Sequence, residues 1–169
     1  MRPDEVGPAT VTEPVDPDVD LADVRRRRQA RRSQLRVLAA VAAGGSIGAA
    51  ARYGASLLWP TPPAAFPWTT LGVNALGCLV IGVFLVTLTE AWTAPVWVRP
   101  FFATGVLGGF TTFSTYCVDI ERLVAAGRPG PALTYMAVTV VAAMASVTAG
   151  AWITRLILAA VRRKAGRTR

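Results

Sequence analysis

The residues best equipped for chemistry stand together in one short run, Gly108-Gly-Phe-Thr-Thr-Phe-Ser-Thr-Tyr116, inside a long apolar segment. Each of the paired glycines disfavours helix by roughly 1 kcal/mol, and the β-branched Thr111 and Thr112 add to that cost. A helix interrupted here releases backbone carbonyls, which must find partners other than lipid. Unwound carbonyls of this kind hold Na⁺ in discontinuous membrane helices. Beyond the interruption, Phe113 and Tyr116 are three apart and share one helix face, beside the hydroxyls of Ser114 and Thr115. Aromatic rings have a positive edge, so rings met edge-on suit an anion crossing an apolar constriction. An aromatic pair at this spacing is otherwise ordinary packing; the adjacent glycines turn the reading toward an ion site.

Two more polar residues interrupt apolar segments. Arg52 follows the glycine-rich run from Gly44 to Gly48. A charge near mid-span costs about 3 kcal/mol or more in lipid. Arg52 therefore either snorkels to the interface near Pro60 or supplies charge to an aqueous vestibule, and its position favours neither. Gly44 and Gly48, four apart, mark close helix packing. Asn74 must find a hydrogen-bond partner, either across helices for about 1 kcal/mol or as a donor lining an anion path. Asp119, Glu121 and Arg122 close the segment that holds the glycines and are expected at its aqueous mouth.

Enzyme chemistry has no visible carrier. The chain has no histidine, and its two cysteines, Cys78 and Cys117, lie within apolar runs. That composition excludes the usual Cys/His zinc site and gives no reason to expect a disulfide. Neither a Ser/His/Asp set nor a phosphate-binding loop is present.

The elements that must position these residues are membrane helices. Hydrophobic residues make up 53% of the 169, and the mean hydropathy is +0.43. They are gathered into runs long enough to cross the hydrocarbon core as helices. Four spans are expected, from about Leu35 to Trp59, Trp68 to Thr89, Pro100 to Val124 and Pro131 to Val161. Trp59, Trp68, Trp92 and Trp97 lie near span ends, where amphipathic rings favour the interface. Short connections make consecutive helices antiparallel.

The net charge of +8 is concentrated in two flanks. Arg25 to Arg28, Arg31, Arg32 and Arg36 precede the first span; Arg162, Arg163, Lys164, Arg167 and Arg169 follow the last. Such flanks read as cytoplasmic anchors near anionic membrane lipid rather than as nucleic-acid contacts. An even number of spans puts both termini on one side, in agreement with the charges. The expected organisation is a disordered, acidic and then arginine-rich cytoplasmic tail at 1–34, a four-span domain at 35–161 and a basic cytoplasmic tail at 162–169. Acidic residues where a basic leader should stand argue against a signal peptide.

From about Leu35 to Val161 the sequence resembles the CrcB/Fluc family of fluoride channels. The resemblance rests on Gly108 to Tyr116, supported by Gly44-Gly through Arg52-Tyr53 and by Thr-Leu-x-x-Asn from Thr70 to Asn74. It implies an all-α integral membrane protein of the cell membrane, with four transmembrane helices per subunit and the third broken mid-membrane. Subunits would pair antiparallel into a dual-pore dimer that exports fluoride passively. Gly108 and Thr111 match the carbonyls that hold a structural, non-transported Na⁺. Asn74, Phe113, Ser114, Thr115 and Tyr116 match the fluoride pore, and Arg52 its vestibule. Tyr116 stands where a second Phe is usual, and Asp119 where Glu is common.

A small drug or cation exporter would need a membrane-embedded acid, and spans one, two and four hold none. A subunit acting through helix packing alone is a third reading. The basic tails predict fixed insertion with both termini cytoplasmic. An antiparallel pair would then be a heterodimer with an oppositely oriented homologue; a dual-topology homodimer is the rival.

Overall fold

The computed structural model describes residues 21–167, with side chains from 29 to 164. All of the regular structure in that range is helical. Helix α1 spans Leu21–Leu58 and α2 spans Trp68–Glu90. A π-wound segment, Pro100–Leu107, leads into the short α3, Gly108–Phe110. Helix α4 spans Ser114–Ala125 and α5 spans Pro129–Arg167. Four stretches are long and apolar enough to cross a bilayer: Gln29–Leu58, Trp68–Glu90, Pro100–Ala125 and Pro129–Lys164. Many large apolar side chains on them face outward, among them Leu76, Leu133, Val141, Met144 and Ile157. A surface this apolar is at home in lipid or against another subunit. The four-span architecture expected from the sequence is present.

The helix ends differ from expectation at the flanks. Helix α1 begins at Leu21, well before Leu35, and the expected tail is therefore helical over 21–34. The physical reason is composition: Arg, Gln, Leu and Ala, which make up most of 21–34, all favour helix. Helix α5 likewise continues past Val161 to Arg167. The remainder of the expected N-terminal tail, residues 1–20, lies outside the described residues. Contacts divide the chain into residues 1–35 and 36–169, and everything below concerns the second unit.

Within that unit the spans associate through small residues. A Cβ on Gly82 would strike the carbonyl of Val147, and one on Gly150 the carbonyl of Leu79. Helices α2 and α5 therefore run in close backbone contact. They run parallel, because Glu90 at the end of α2 accepts a hydrogen bond from Arg155 Nε at 2.9 Å in the C-terminal half of α5. Arg162 donates to the Glu90 carbonyl at 2.8 Å and so caps α2.

Helices α4 and α5 form a tight antiparallel hairpin. Gly127 adopts φ 72°, a left-handed conformation that only glycine takes at little cost. Its N–H donates to the Val124 carbonyl, and the Arg128 N–H to that of Leu123, both at 2.9 Å. This pairing closes a helix C-terminus and lets Pro129 open the next helix. Leu123, Ala132 and Tyr135 form the core beneath the hairpin, with Phe66, Leu71, Tyr116 and Ile120 packed against it. Arg128 also donates to the Ala64 carbonyl, which ties the α1–α2 loop to the hairpin.

Candidate functional site

The stretch from Gly108 to Tyr116 departs from continuous helix at one point. Helix α3 ends at Phe110, Thr111 is extended with ψ 156°, and α4 starts at Ser114. The cost of leaving the helix is met by side chains. The Thr112 N–H, which a continuous helix would aim at the Gly108 carbonyl, donates instead to Asn74 Oδ1 at 2.8 Å. Asn74 Nδ2 in turn donates to the Thr112 carbonyl at 2.9 Å. One amide thus clasps both polar groups of one residue. The direction of each bond fixes the amide orientation, since an N–H only donates and a carbonyl only accepts.

A second diversion follows three residues on. The Thr115 N–H donates to Thr112 Oγ1 at 3.1 Å rather than to the Thr111 carbonyl. Thr112 thereby caps α4 through its hydroxyl, as Ser and Thr do at helix starts. These two diversions deprive the carbonyls of Gly108 and Thr111 of their helical donors. Thr111 itself is anchored backwards, by its N–H at 2.9 Å and its hydroxyl at 2.8 Å to the Leu107 carbonyl. Backbone carbonyls are hard oxygen donors suited to an alkali cation. Among the described residues, no cluster of His, Cys, Asp or Glu could hold a metal ion.

Arg52 has a protein partner that the sequence did not name. Its Nε donates to the Gly109 carbonyl at 3.1 Å, and the side chain is partly buried. Gly44 and Gly48 do mark close packing, as their spacing predicts. A Cβ on Gly44 would stand about as far from the Val106 nitrogen, 3.0 Å, as one on Gly48 from the Phe110 nitrogen, 2.8 Å.

Beside the interruption lies a cleft of about 400 Å³, lined among others by Asn74, Thr111, Thr112, Phe113, Tyr116 and Thr139. Phe113 is 77% exposed, the most open large side chain of this group. Its ring centroid is 5.8 Å from that of Tyr116, which is 5.3 Å from that of Tyr135. Tyr135 meets Phe66 edge-on at 5.4 Å. The rings form a file from the interruption to the α1–α2 loop. Ser114 and Thr115 lie outside the cleft lining and turn instead toward Thr112: Thr115 Oγ1 is 3.0 Å and Ser114 Oγ 3.3 Å from its hydroxyl.

Sequence reading missed two members of this neighbourhood. The hydroxyls of Tyr135 and Thr139 are both buried and stand one helical turn apart on α5. Their four-residue spacing on α5 was the available signal. Asp119 was expected at an aqueous mouth with Glu121 and Arg122. It is in fact buried, and its Oδ2 accepts a 2.7 Å bond from Thr70 Oγ1. Glu121 and Arg122 are exposed. One helical turn separates the three, and only Asp119 is on the face that meets α2.

Comparison with known proteins bears on this geometry. Residues 39–151 match the family model described as CrcB-like protein, Camphor Resistance. The chain belongs to the CrcB family. It is 59% identical over 131 residues to the fluoride-specific ion channel FluC 1 of Streptomyces coelicolor, covering 78% of this chain and 85% of that one. It is 58% identical over 124 residues to FluC 2 of Streptomyces avermitilis, covering 73% and 78%. With FluC 2 of Nocardia farcinica it shares 48% over 127 residues, 75% and 91% of the two chains. In this CrcB chain the matched region contains the whole interruption and both clasping side chains, Arg52 and Asn74.

Proposed function

We propose that this chain is a fluoride-specific ion channel of the cell membrane that exports cytoplasmic F⁻ passively. The observation that carries the reading is the pair of carbonyls released at Gly108 and Thr111 beside an aromatic cleft, in a chain whose relatives are named fluoride-specific ion channels. Fluoride enters acidified cells as neutral HF and is trapped as the anion at the higher cytoplasmic pH. The membrane potential then drives it outward, at about 2.3 kcal/mol per charge per 100 mV. No covalent chemistry is involved, and the protein is not an enzyme.

In this reading the interruption lies at membrane depth, and the Gly108 and Thr111 carbonyls hold a structural Na⁺ that is not transported. Carbonyl oxygens freed from helical donors fit that ion. Asn74, Phe113 and Tyr116 line the fluoride path. One N–H of the Asn74 amide is committed to Thr112, which leaves the second for an anion. Ser114 and Thr115 contribute through the hydroxyl cluster they form with Thr112. Arg52 lies near the vestibule. The channel domain is 35–161, and the basic flanks at 1–34 and 162–169 are cytoplasmic.

The exposure of Phe113 supports completion of the pore by a second subunit, because a ring this open in one chain needs a partner to form a constriction. The arrangement is an antiparallel dual-pore dimer. The strong charge bias of the tails favours a heterodimer with an oppositely oriented homologue over a dual-topology homodimer. Proteoliposomes bearing the chain, alone and with such a homologue, are expected to release fluoride to an electrode. Silence in both preparations overturns the reading, and flux from the chain alone replaces heterodimer by homodimer. Phe113→Ile should abolish flux with little change in thermal midpoint, whereas a subunit acting by packing alone would be unaffected in either.

A further inference from the structure

Gly44, Gly48 and Arg52 are spaced by four and form one stripe along α1. The two glycines bring α1 against the backbone of the third span, where a Cβ on Gly44 would lie 3.1 Å from the Gly105 Cα and one on Gly48 2.9 Å from the Val106 carbonyl carbon. At that separation the next residue of the stripe reaches the backbone itself. Arg52 Nε meets the Gly109 carbonyl at 3.1 Å. In a continuous helix that carbonyl would accept from Phe113 N–H, which lies beyond the extended Thr111. Arg52 therefore stands in for the missing helical donor.

We propose that Arg52 is a positioning residue for the cation site: by holding the Gly109 carbonyl it fixes the direction of the Gly108 and Thr111 carbonyls around it. This inference rests on the Na⁺ reading above. The peptide units are planar and share Cα pivots, so anchoring Gly109 restricts the plane that carries the Gly108 oxygen. Asn74, from α2, anchors Thr112 in the same way, so each proposed cation donor, Gly108 and Thr111, directly precedes an anchored residue. Successive helical carbonyls are set about 100° apart around the axis, so a guanidinium on the Gly109 oxygen and a cation on the Gly108 oxygen approach different sides of the helix. A free vestibule charge would act differently, through long-range attraction of anions, and any cation would supply that attraction.

The test uses the purified full-length protein, alone and with an oppositely oriented homologue, and its thermal midpoint as NaCl replaces N-methyl-D-glucamine chloride at constant ionic strength. Lys at this position retains the charge but lacks the Nε–H and the planar fork. Loss of a charge-assisted hydrogen bond should raise the Na⁺ concentration for half-maximal stabilisation by about tenfold or more in both Arg52→Lys and Arg52→Gln. Half-maximal Na⁺ unchanged from wild type in either variant overturns the proposal and leaves the cation site standing. A wild-type midpoint indifferent to Na⁺ in both preparations overturns both. Should neither variant fold, the ¹⁵Nε resonance of Arg52 in the unmodified protein decides. It should shift when Na⁺ is withdrawn, and a resonance that stays in place rejects the coupling.

Discussion

Two helix pairs in this molecule use the same packing device and put it to different ends. Helices α2 and α5 approach through Gly82 and Gly150, and both remain continuous along the contact. Helix α1 and the third span approach through Gly44, Gly48, Gly105 and Gly109, yet the third span becomes extended at Thr111. Close approach alone therefore does not break a helix. What distinguishes the second pair is the supply of side-chain groups beside the gap, Arg52 from α1 and Asn74 from α2. Glycine contact brings backbones near enough for those groups to replace helical hydrogen bonds. The first pair is continuous scaffold, and the second is a scaffold opened at Thr111, where the proposed ion site lies.

The most severe way to break that contrast is Asn74→Leu. It removes both bonds to Thr112 and leaves a peptide N–H and a carbonyl unmatched, at about 2 kcal/mol or more in total. Fluoride flux is expected to vanish in a proteoliposome assay, with a clear drop in thermal midpoint. Flux near wild type would mean that the interruption holds itself and that the two pairs differ less than their hydrogen bonds indicate.

A pair of matched substitutions sharpens the comparison at smaller amplitude. Gly82→Ala and Gly48→Ala each place a Cβ against backbone, where overpacking costs about 1–3 kcal/mol. Both should lower the thermal midpoint by similar amounts. Only Gly48→Ala should also weaken stabilisation by Na⁺, because it moves α1 and with it Arg52. Equal Na⁺ responses in the two variants would erase the functional distinction between the pairs.

Much of the scaffold was legible in the sequence because hydrocarbon imposes length and composition on whatever crosses it. The spans at Trp68 and Pro100 begin where the apolar runs do. The exact place of the interruption was less legible, since Gly108 and Gly109 stay helical and the departure comes at Thr111. What replaces the lost hydrogen bonds was not legible. The partner of Asn74 lies 38 positions away and that of Arg52 lies 57 away, and such separations leave no periodic trace. Arg52 was therefore weighed between interface and vestibule with no sign of the carbonyl it binds. The burial of Asp119 escaped for the same reason, because Thr70 on another helix determines it. The extended helix at 21–34 was missed for the opposite cause, since charge drew the reading away from good helix-forming residues.

The finest comparison concerns the residue that joins the two pairs. Tyr116 belongs to α4, beyond the interruption, and its ring packs on Tyr135 of α5 at 5.3 Å. Its hydroxyl lies 3.5 Å from the Met136 carbonyl. Good O–H···O bonds are about 2.7–2.8 Å, so this contact is weak and the ring carries most of the connection. Tyr116→Phe retains the ring and is expected to shift stability by less than about 0.5 kcal/mol. Flux should stay close to wild type, since the edge presented to the cleft is preserved. Tyr116→Leu, by contrast, removes two ring contacts, to Phe113 and Tyr135, each worth about 0.5–1.5 kcal/mol beyond its buried area. It should lower both flux and thermal midpoint. If Tyr116→Phe proves as damaging as Tyr116→Leu, the hydroxyl rather than the ring couples the interrupted span to its scaffold. The phenol would then be part of the ion path.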